Sequence, residues 1–341
     1  MNLRETVAAL CRAESVTGAG SAANRLVAAQ LSVLGADVRT DALGNVIGTW
    51  AGPDPILLDA HMDQIGLVIT ASAGRGFFHV EKVGGTDRRT LIGKPVIVYG
   101  AEPVHGVISS VPPHLATKED QNLPEWSKIL LDTGNPDADS LIFPGDPVIT
   151  DSTFRPLLGT RVAAAALDNR AGVAAVLRAM ELVRDAELPR GVIVQFSVQE
   201  EFRGAGAVTG AYQADVRESL TVDVSFAKSA QAADIRAELG KGPMIGVAAS
   251  LNRKISTLLR KLAEKGQIPY QMEGMGGRTG TNADFIAVSR GGVRVGLISI
   301  PQRNMHTGVE VVDLNDIEQT AQLLAAYLRV GGLGAAEKEV L

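Results

Sequence analysis

GVIVQFSVQEEFRGAG, residues 191–206, is the stretch on which the fold turns. GVIVQFSV reads as a buried strand, apolar except at Gln195 and Ser197. It then ends on two adjacent carboxylates, Glu200 and Glu201, followed by Gly204 and Gly206. Neighbouring residues of a regular strand point to opposite faces. The two glutamates can therefore share one site only if the backbone leaves the strand there, and the glycines allow the turn that follows. Two like charges at a buried strand end are costly unless something compensates them.

The same pattern recurs on either side. PILLDAHMD (55–63) is a continuous apolar run closed by acids, the mark of a strand covered on both faces. TVDVS (221–225) and RVGLISIP (294–301) read as further strands. Apolar spacing predicts helices over residues 3–13, 20–34, 163–188, about 250–264 and from 313 to about 332. ADVRTDALGNVIGTWAG (36–52) reads as two short strands joined at a Gly-Asn turn. Between residues 68 and 158 the texture changes to short β-like runs, GFFHVEKV, KPVIVYG, VHGVISSV, SKILLDTG and DPVITD, separated by turn signals. That is the pattern of a small all-β domain. HLATKEDQNLPEWSK (114–128) reads as a polar surface loop and GLGAAEKEVL (332–341) as a frayed tail. The expected organisation is an α/β domain in two pieces, 1–67 and 159–341, interrupted by a β insertion over 68–158.

Composition narrows the class. The 341 residues are 45% hydrophobic and 21% charged, an ordinary globular balance with room for a large core. Aromatics are only 4%, so that core rests on Ala, Val, Leu and Ile. The net charge is −5 and no basic block appears, which argues against nucleic acid as partner. No apolar run is long enough for a membrane span. The N-terminal MNLRETVAALCRAE is interrupted by charges, unlike a signal peptide. The single cysteine, Cys11, cannot form an intrachain disulfide and reads as a small buried hydrophobe. A reducing, cytoplasmic setting is the expectation.

In open α/β sheets, ligands bind beyond the carboxyl ends of the strands. His61, Asp63, Glu200, Glu201, Asp223 and His306 fall at such ends, and Asp168 opens a helix. Taken singly, Asp168 reads as an N-cap and either histidine as a loop residue. Gathered in one crevice, the carboxylates would repel and raise one another's pKa. Buried charges persist when paired or bound to metal. The cations noted in these segments, Arg170 and Arg203, are too few to neutralise the set. A pair of divalent cations would do so, and imidazole plus carboxylate without thiolate suits Zn²⁺, Co²⁺ or Mn²⁺. Asp63, two residues past His61, projects to the same side in an extended chain. It reads as a group that orients His61 rather than as a ligand.

The motifs DAHMDQIGLVI (59–69), ALDNRAG (166–172), VQEEFRGAGA (198–207), VDVS (222–225), GRTGTNAD (277–284) and ISIPQRNMHTGVEVV (298–312) resemble, in order and interval, the glutamyl/leucyl/lysyl aminopeptidase family. These are dinuclear metallopeptidases that assemble as tetrahedral particles, and the resemblance spans nearly the whole chain. It implies a mixed-sheet α/β catalytic domain carrying a barrel-like oligomerisation domain. It implies that His61, Asp168 and Asp223 hold one metal and that Asp168, Glu201 and His306 hold the other. Glu200 would be the general base and Asp63 the orienter of His61. The Asp168–Asn169 peptide would be cis. Gly280, Thr281 and Asn282 would belong to the substrate wall, although Asn282 stands where Asp is frequent and the glycines could equally form a tight turn. GAGSAAN (18–24) lacks an acid that many relatives carry.

The implied activity is removal of the N-terminal residue from short peptides by a homo-oligomer, expected to be a dodecamer. An amidohydrolase acting on N-acyl amino acids and a non-catalytic metal-stabilised assembly protein are the alternatives. Intact Glu200 counts against the second of these. A glycosidase would have no use for His61 and His306.

Overall fold

The computed structural model describes residues 1–19, 22–112, 114–116 and 122–334. The chain opens with α1 (Leu3–Arg12) and α2 (Ala22–Val33). The hairpin β1 (Asp37–Thr40) and β2 (Val46–Trp50) follows, and then β3 (Ile56–His61), every residue of which is buried. Six strands come next: β4 (Gly66–Gly74), β5 (Phe77–Val83), β6 (Pro95–Tyr99), β7 (Pro103–Ile108), β8 (Leu130–Asp132) and β9 (Pro147–Thr150). They close into an antiparallel barrel in the order β4-β5-β8-β7-β6-β9. Its own core is built from Leu67, Ile69, Phe78, Val96, Val98, Ile108, Leu131 and Val148.

After the short strands β10 (Arg155–Pro156) and β11 (Arg161–Ala164) comes α3 (Leu167–Leu182). The sheet resumes with β12 (Val192–Ser197), which leads into α4 (Glu200–Arg203) and α5 (Ala205–Ala214). β13 (Glu218–Phe226), β14 (Met244–Val247), α6 (Arg253–Lys265), β15 (Gln271–Gly274) and α7 (Asn282–Ile286) follow. β16 (Arg294–Gln302), β17 (Glu310–Asp313) and α8 (Leu314–Arg329) complete the fold. Asn252 and Asp313 cap α6 and α8 by accepting from first-turn amides, as short polar side chains do at helix starts.

The eight-stranded mixed sheet has the order β1-β2-β12-β3-β13-β16-β14-β15. Its central strands β12, β3, β13 and β16 run parallel, with Ser197 opposite His61, Thr221 opposite Asp59 and Asp223 opposite Ser299. That register sets the carboxyl ends of four strands side by side. Strand alternation explains the continuous apolar runs. Leu58 and Ala60 face a core shared with Val7 of α1, Leu177 of α3 and Leu324 of α8. Leu57 faces the opposite core with Ala207 and Ala211 of α5 and Ala283 and Ile286 of α7. The chain is thus an α/β protein with a mixed sheet and a separate small antiparallel barrel.

Two expectations change. The helix expected over 163–188 begins later, because Arg161–Ala164 is β11 and pairs with β17, Ala164 opposite Glu310. Asp168 and Asn169 are themselves non-helical, so the regular helix starts at Arg170. TVDVS is the end of a nine-residue strand rather than a short one. The tail from 335 onward and residues 117–121 of the polar loop lie outside the described residues, while Trp126–Lys128 forms a 3₁₀ turn. Among the described residues, no helix is long and apolar enough to cross a membrane.

Candidate active site

Each acid-bearing strand end delivers its side chain to one place. His61 is the last residue of β3 and is buried. Its Nε2 lies 3.2 Å from Asp168 Oδ1 and 3.5 Å from Asp223 Oδ1. His306 approaches from the turn after β16, with Nε2 3.4 Å from Asp168 Oδ2 and 3.3 Å from Glu201 Oε2. The two oxygens of Asp168 therefore serve two donor sets, one led by each histidine. His61, Asp168 and Glu201 offer ligand atoms that all lie within 4.8 Å of one another. No Lys or Arg forms an ion pair with any of the five residues among the described residues.

The backbone explains how the pieces converge. β12 stops at Ser197, and Gln199 takes a left-handed conformation (φ 61°), turning the chain into α4 with Glu200 and Glu201 in its first turn. The amides of that turn need acceptors. Asp63 supplies both: Glu200 N–H donates to Oδ1 at 3.1 Å and Glu201 N–H to Oδ2 at 3.3 Å. Thr17 Oγ1 donates to the same carboxylate at 2.6 Å. The Asp63 contact with His61 runs chiefly through the main chain, whose carbonyl oxygen is 3.1 Å from Nδ1 while carboxylate Oδ1 is at 3.6 Å. Asp63 thus holds the two glutamates as well as the imidazole.

Asp168 stands two residues after Ala166, which is at φ 60°, and the Asp168–Asn169 peptide is cis. Asn169 donates to Val222 O at 2.7 Å and accepts from Gly172 N–H at 3.0 Å, which fixes the segment against β13. The ring of His306 packs against Gly85 in the loop after β5. A Cβ at that glycine would come within 2.5 Å of His306 Nδ1, so a larger residue there would displace the ring.

The local field is strongly negative. Burial opposes protonation of His61, but hydrogen bonds to Asp168 and Asp223 outweigh it and hold its pKa well above the usual imidazole value. Hydrogen bonds to Asp168 and Glu201 push His306 up to about 11. Burial pushes Glu200 up to about 9; His61 opposes the rise, while the charges on Asp223, Glu201 and Asp168 add to it. Burial likewise raises Glu201 and Asp223. A place that favours positive charge this strongly, with two imidazoles and three carboxylates as donors and no thiolate, fits divalent cations.

The cluster forms the floor of a cleft of about 360 Å³, walled by Ser225, Phe226, Thr279, Gly280, Thr281 and Met305. Gly280 and Thr281 thus stand at the cleft, and Thr281 Oγ1 also caps α7 by accepting from Ala283 N–H at 3.2 Å. Asn282 does not stand there, which corrects the expectation. Its side chain is buried and donates to Asp59 Oδ2 at 2.9 Å and Ser197 Oγ at 2.8 Å. Gln195 donates to the other oxygen of Asp59 at 2.9 Å. Gln195 and Ser197, the two polar residues of the opening strand, belong to this internal network.

Glu310 was missed by the sequence. It is buried, and its Oε2 accepts from Asp168 N–H at 3.0 Å while Oε1 accepts from His306 N–H at 2.9 Å. It ties together the backbones of two cluster residues far apart in the chain. A lone acid inside the β-branched run VEVV was the available signal.

A family profile described as M42 glutamyl aminopeptidase matches residues 44–323. A lysyl aminopeptidase of Pyrococcus furiosus is 32% identical over 301 residues, covering 86% of both chains. Among solved structures, an aminopeptidase from the archaeon Desulfurococcus kamchatkensis aligns with a TM-score of 0.89 at 32% identity, over 96% of this chain and 94% of that one. The TET1 peptidase of Pyrococcus horikoshii, described as able to assemble into a tetrahedron or a large octahedral shell, aligns with a TM-score of 0.86 at 31% identity. It covers 96% of this chain and 99% of that one.

Proposed function

The chain belongs to the M42 glutamyl aminopeptidase family and is a peptidase, and from that premise we propose that it removes the N-terminal residue of short peptides with Glu200 as general base beside two divalent cations. One observation carries the two-cation reading. Asp168 turns one oxygen toward His61 and the other toward His306, and each histidine faces a further carboxylate, Asp223 or Glu201. In this reading His61, Asp168 and Asp223 hold one cation, and Asp168, Glu201 and His306 the other. Zn²⁺, Co²⁺ or Mn²⁺ suits the nitrogen and oxygen donors. Such cations, when bound, supply Lewis acidity that polarises a scissile carbonyl and acidifies water.

Glu200 lies at the cleft without belonging to either donor set. Burial and the neighbouring carboxylates raise its proton affinity; as the carboxylate, the form that adjacent cations would favour, it can take a proton from the attacking water and deliver it to the leaving amine. Asp63 keeps Glu200 and Glu201 turned to different tasks by holding both of their amides. Glu310 holds Asp168 and His306 in register. The exopeptidase reading rests on the relatives, which are named as aminopeptidases.

The barrel, within an inserted unit spanning 68–158, is in this reading the contact domain of a homo-oligomer, with a dodecamer as the expected particle. Exposed Val107, Leu115 and Phe143 on that unit support it, as does the assembly named for the Pyrococcus horikoshii relative. The discriminating assay uses aminoacyl p-nitroanilides with a free amine and their N-acetylated forms, with Zn²⁺, Co²⁺ or Mn²⁺ supplied. Cleavage of the free-amine series alone is expected. Turnover of only the acylated series would make the protein an amidohydrolase, and turnover of neither would leave it a non-catalytic member.

A further inference from the structure

Behind the cleft lining, bonded to one of its residues, lies a further acid that neither donor set uses. Glu273 lies on the edge strand β15, half-buried. Its Oε1 accepts a short hydrogen bond from Ser225 Oγ, and its Oε2 accepts from Ser299 Oγ at 2.8 Å. Ser225 lines the cleft two residues beyond Asp223 on β13. Directly after Glu273 the chain runs through 274–278 to Thr279, Gly280 and Thr281, the facing wall. Glu273 therefore sits at the root of one wall and is bonded through a hydroxyl to the other.

Its chemistry is one-sided. Two hydroxyl donors fix the carboxylate, and among the described residues no Lys or Arg pairs with it. No Lys or Arg lines the cleft; Arg278, on the same loop, is exposed to solvent and is not part of the lining. The acids that do line it are Asp168, Glu200, Glu201 and Asp223. Two divalent cations would balance those four charges and leave Glu273 over. The cleft lining also includes Phe226, largely exposed, and Met305, apolar surface suited to an aliphatic stem.

We propose that Glu273, with Ser225, forms the far end of the subsite for the substrate's N-terminal side chain and selects residues with an apolar stem and a cationic tip, Lys or Arg, over acidic ones. This rests on the aminopeptidase reading above. A substrate ammonium or guanidinium can replace a serine hydroxyl as the partner of the carboxylate, whereas an acidic side chain would meet a like charge.

The test compares kcat/KM for Lys, norleucine, Leu and Glu p-nitroanilides on the metal-loaded enzyme. Lys and norleucine share the stem and differ in the charge. The wild type should prefer Lys over norleucine by about tenfold or more, and Glu should be the poorest of the four. Glu273→Gln should lower the Lys-to-norleucine ratio by about tenfold, mainly through KM. Glu273→Lys should lower it further and raise the Glu-to-Leu ratio. A variant that merely disturbs folding lowers all rates and leaves the ratios in place. A wild-type ratio near one, a preference for Glu, or an unchanged ratio in both variants overturns the proposal while the aminopeptidase reading stands. Absence of cleavage of all four substrates overturns that reading and this one with it.

Discussion

β13 carries a buried acid near each of its ends, and the two are treated differently. Glu218, at the amino end, is fully buried, yet Arg190 lies 3.3 Å and Arg294 3.7 Å from its Oε2. Its Oε1 accepts from Tyr327 OH at 2.8 Å and Leu333 N–H at 3.0 Å. Asp223, toward the carboxyl end, is nearly as buried and faces His61, other carboxylates and a cleft. Glu218 is neutralised by guanidinium from its own chain. The acids of the cleft are left without one. Asp168, Asp223 and Glu201 pair only with the imidazoles of His61 and His306 among the described residues, and that lack of guanidinium, more than the count of acids, marks the site.

The contrast breaks most visibly at Glu200. Glu200→Gln removes the proton carrier while keeping the shape, and turnover should fall by about a thousandfold or more. Bound metal, measured by elemental analysis, should stay near two per chain, because Glu200 belongs to neither donor set. His306→Ala should do the reverse and lower occupancy. Loss of metal in the Gln variant would make Glu200 a ligand.

At the other end of β13, Glu218→Ala should leave metal occupancy unchanged and destabilise the fold. Arg190 keeps Asp54, at 2.9 Å, but Tyr327 OH and Leu333 N–H lose their buried acceptor, which costs roughly 2–4 kcal/mol. Urea denaturation reads this directly. A stability loss below about 1 kcal/mol would mean that Tyr327 OH and Leu333 N–H find other acceptors without Glu218.

Asp316, near the start of α8, is an intermediate case: an acid held by backbone amides alone. Gly240 N–H and Gly242 N–H donate to its two oxygens at 2.7 and 2.8 Å. Burial nevertheless pushes its pKa up to about 6, from 3.8. The folded protein thus binds the proton more tightly than the unfolded chain. The stabilisation is complete below the unfolded value and is lost as pH rises through the folded one. The stability advantage of wild type over Asp316→Asn should accordingly shrink by about 2 kcal/mol between pH 4 and pH 7. A constant difference across that range would show that the two amides keep the carboxylate charged.

Much of this was legible in the sequence because the central strands are uninterrupted apolar runs and each run ends in an acid or a histidine. The barrel announced itself through short runs and frequent turns. What stayed hidden was set by contacts distant in sequence. Ala163 and Ala164 have helical preferences but are extended because β17 pairs with them. Asn282 sits in a glycine-rich stretch that reads as a binding loop, yet its amide turns inward to Asp59 across a separation of 223 residues. Glu310 looks like one polar residue in an apolar strand until its two amide donors are brought to it.

Glu310 also gives the comparison its finest test, since it is a buried acid inside the site that touches only backbone. Burial and the charge on Asp168 push its pKa well above the ordinary glutamate range. Two N–H donors aimed at its two oxygens nonetheless call for a carboxylate. Glu310→Gln keeps the shape but offers one acceptor and, toward the second N–H, a donor. One of the two amides, Asp168 or His306, then loses its partner, and the donor set around the second cation loosens. Affinity for that cation, measured by competition with a chelator, should fall by about 10- to 100-fold, the usual range for a group that orients metal ligands. The first cation, whose other donors His61 and Asp223 are held independently of Glu310, should weaken less. Equal weakening of both would place the effect in Asp168 alone, and unchanged affinity would reduce Glu310 to a structural acid like Glu218.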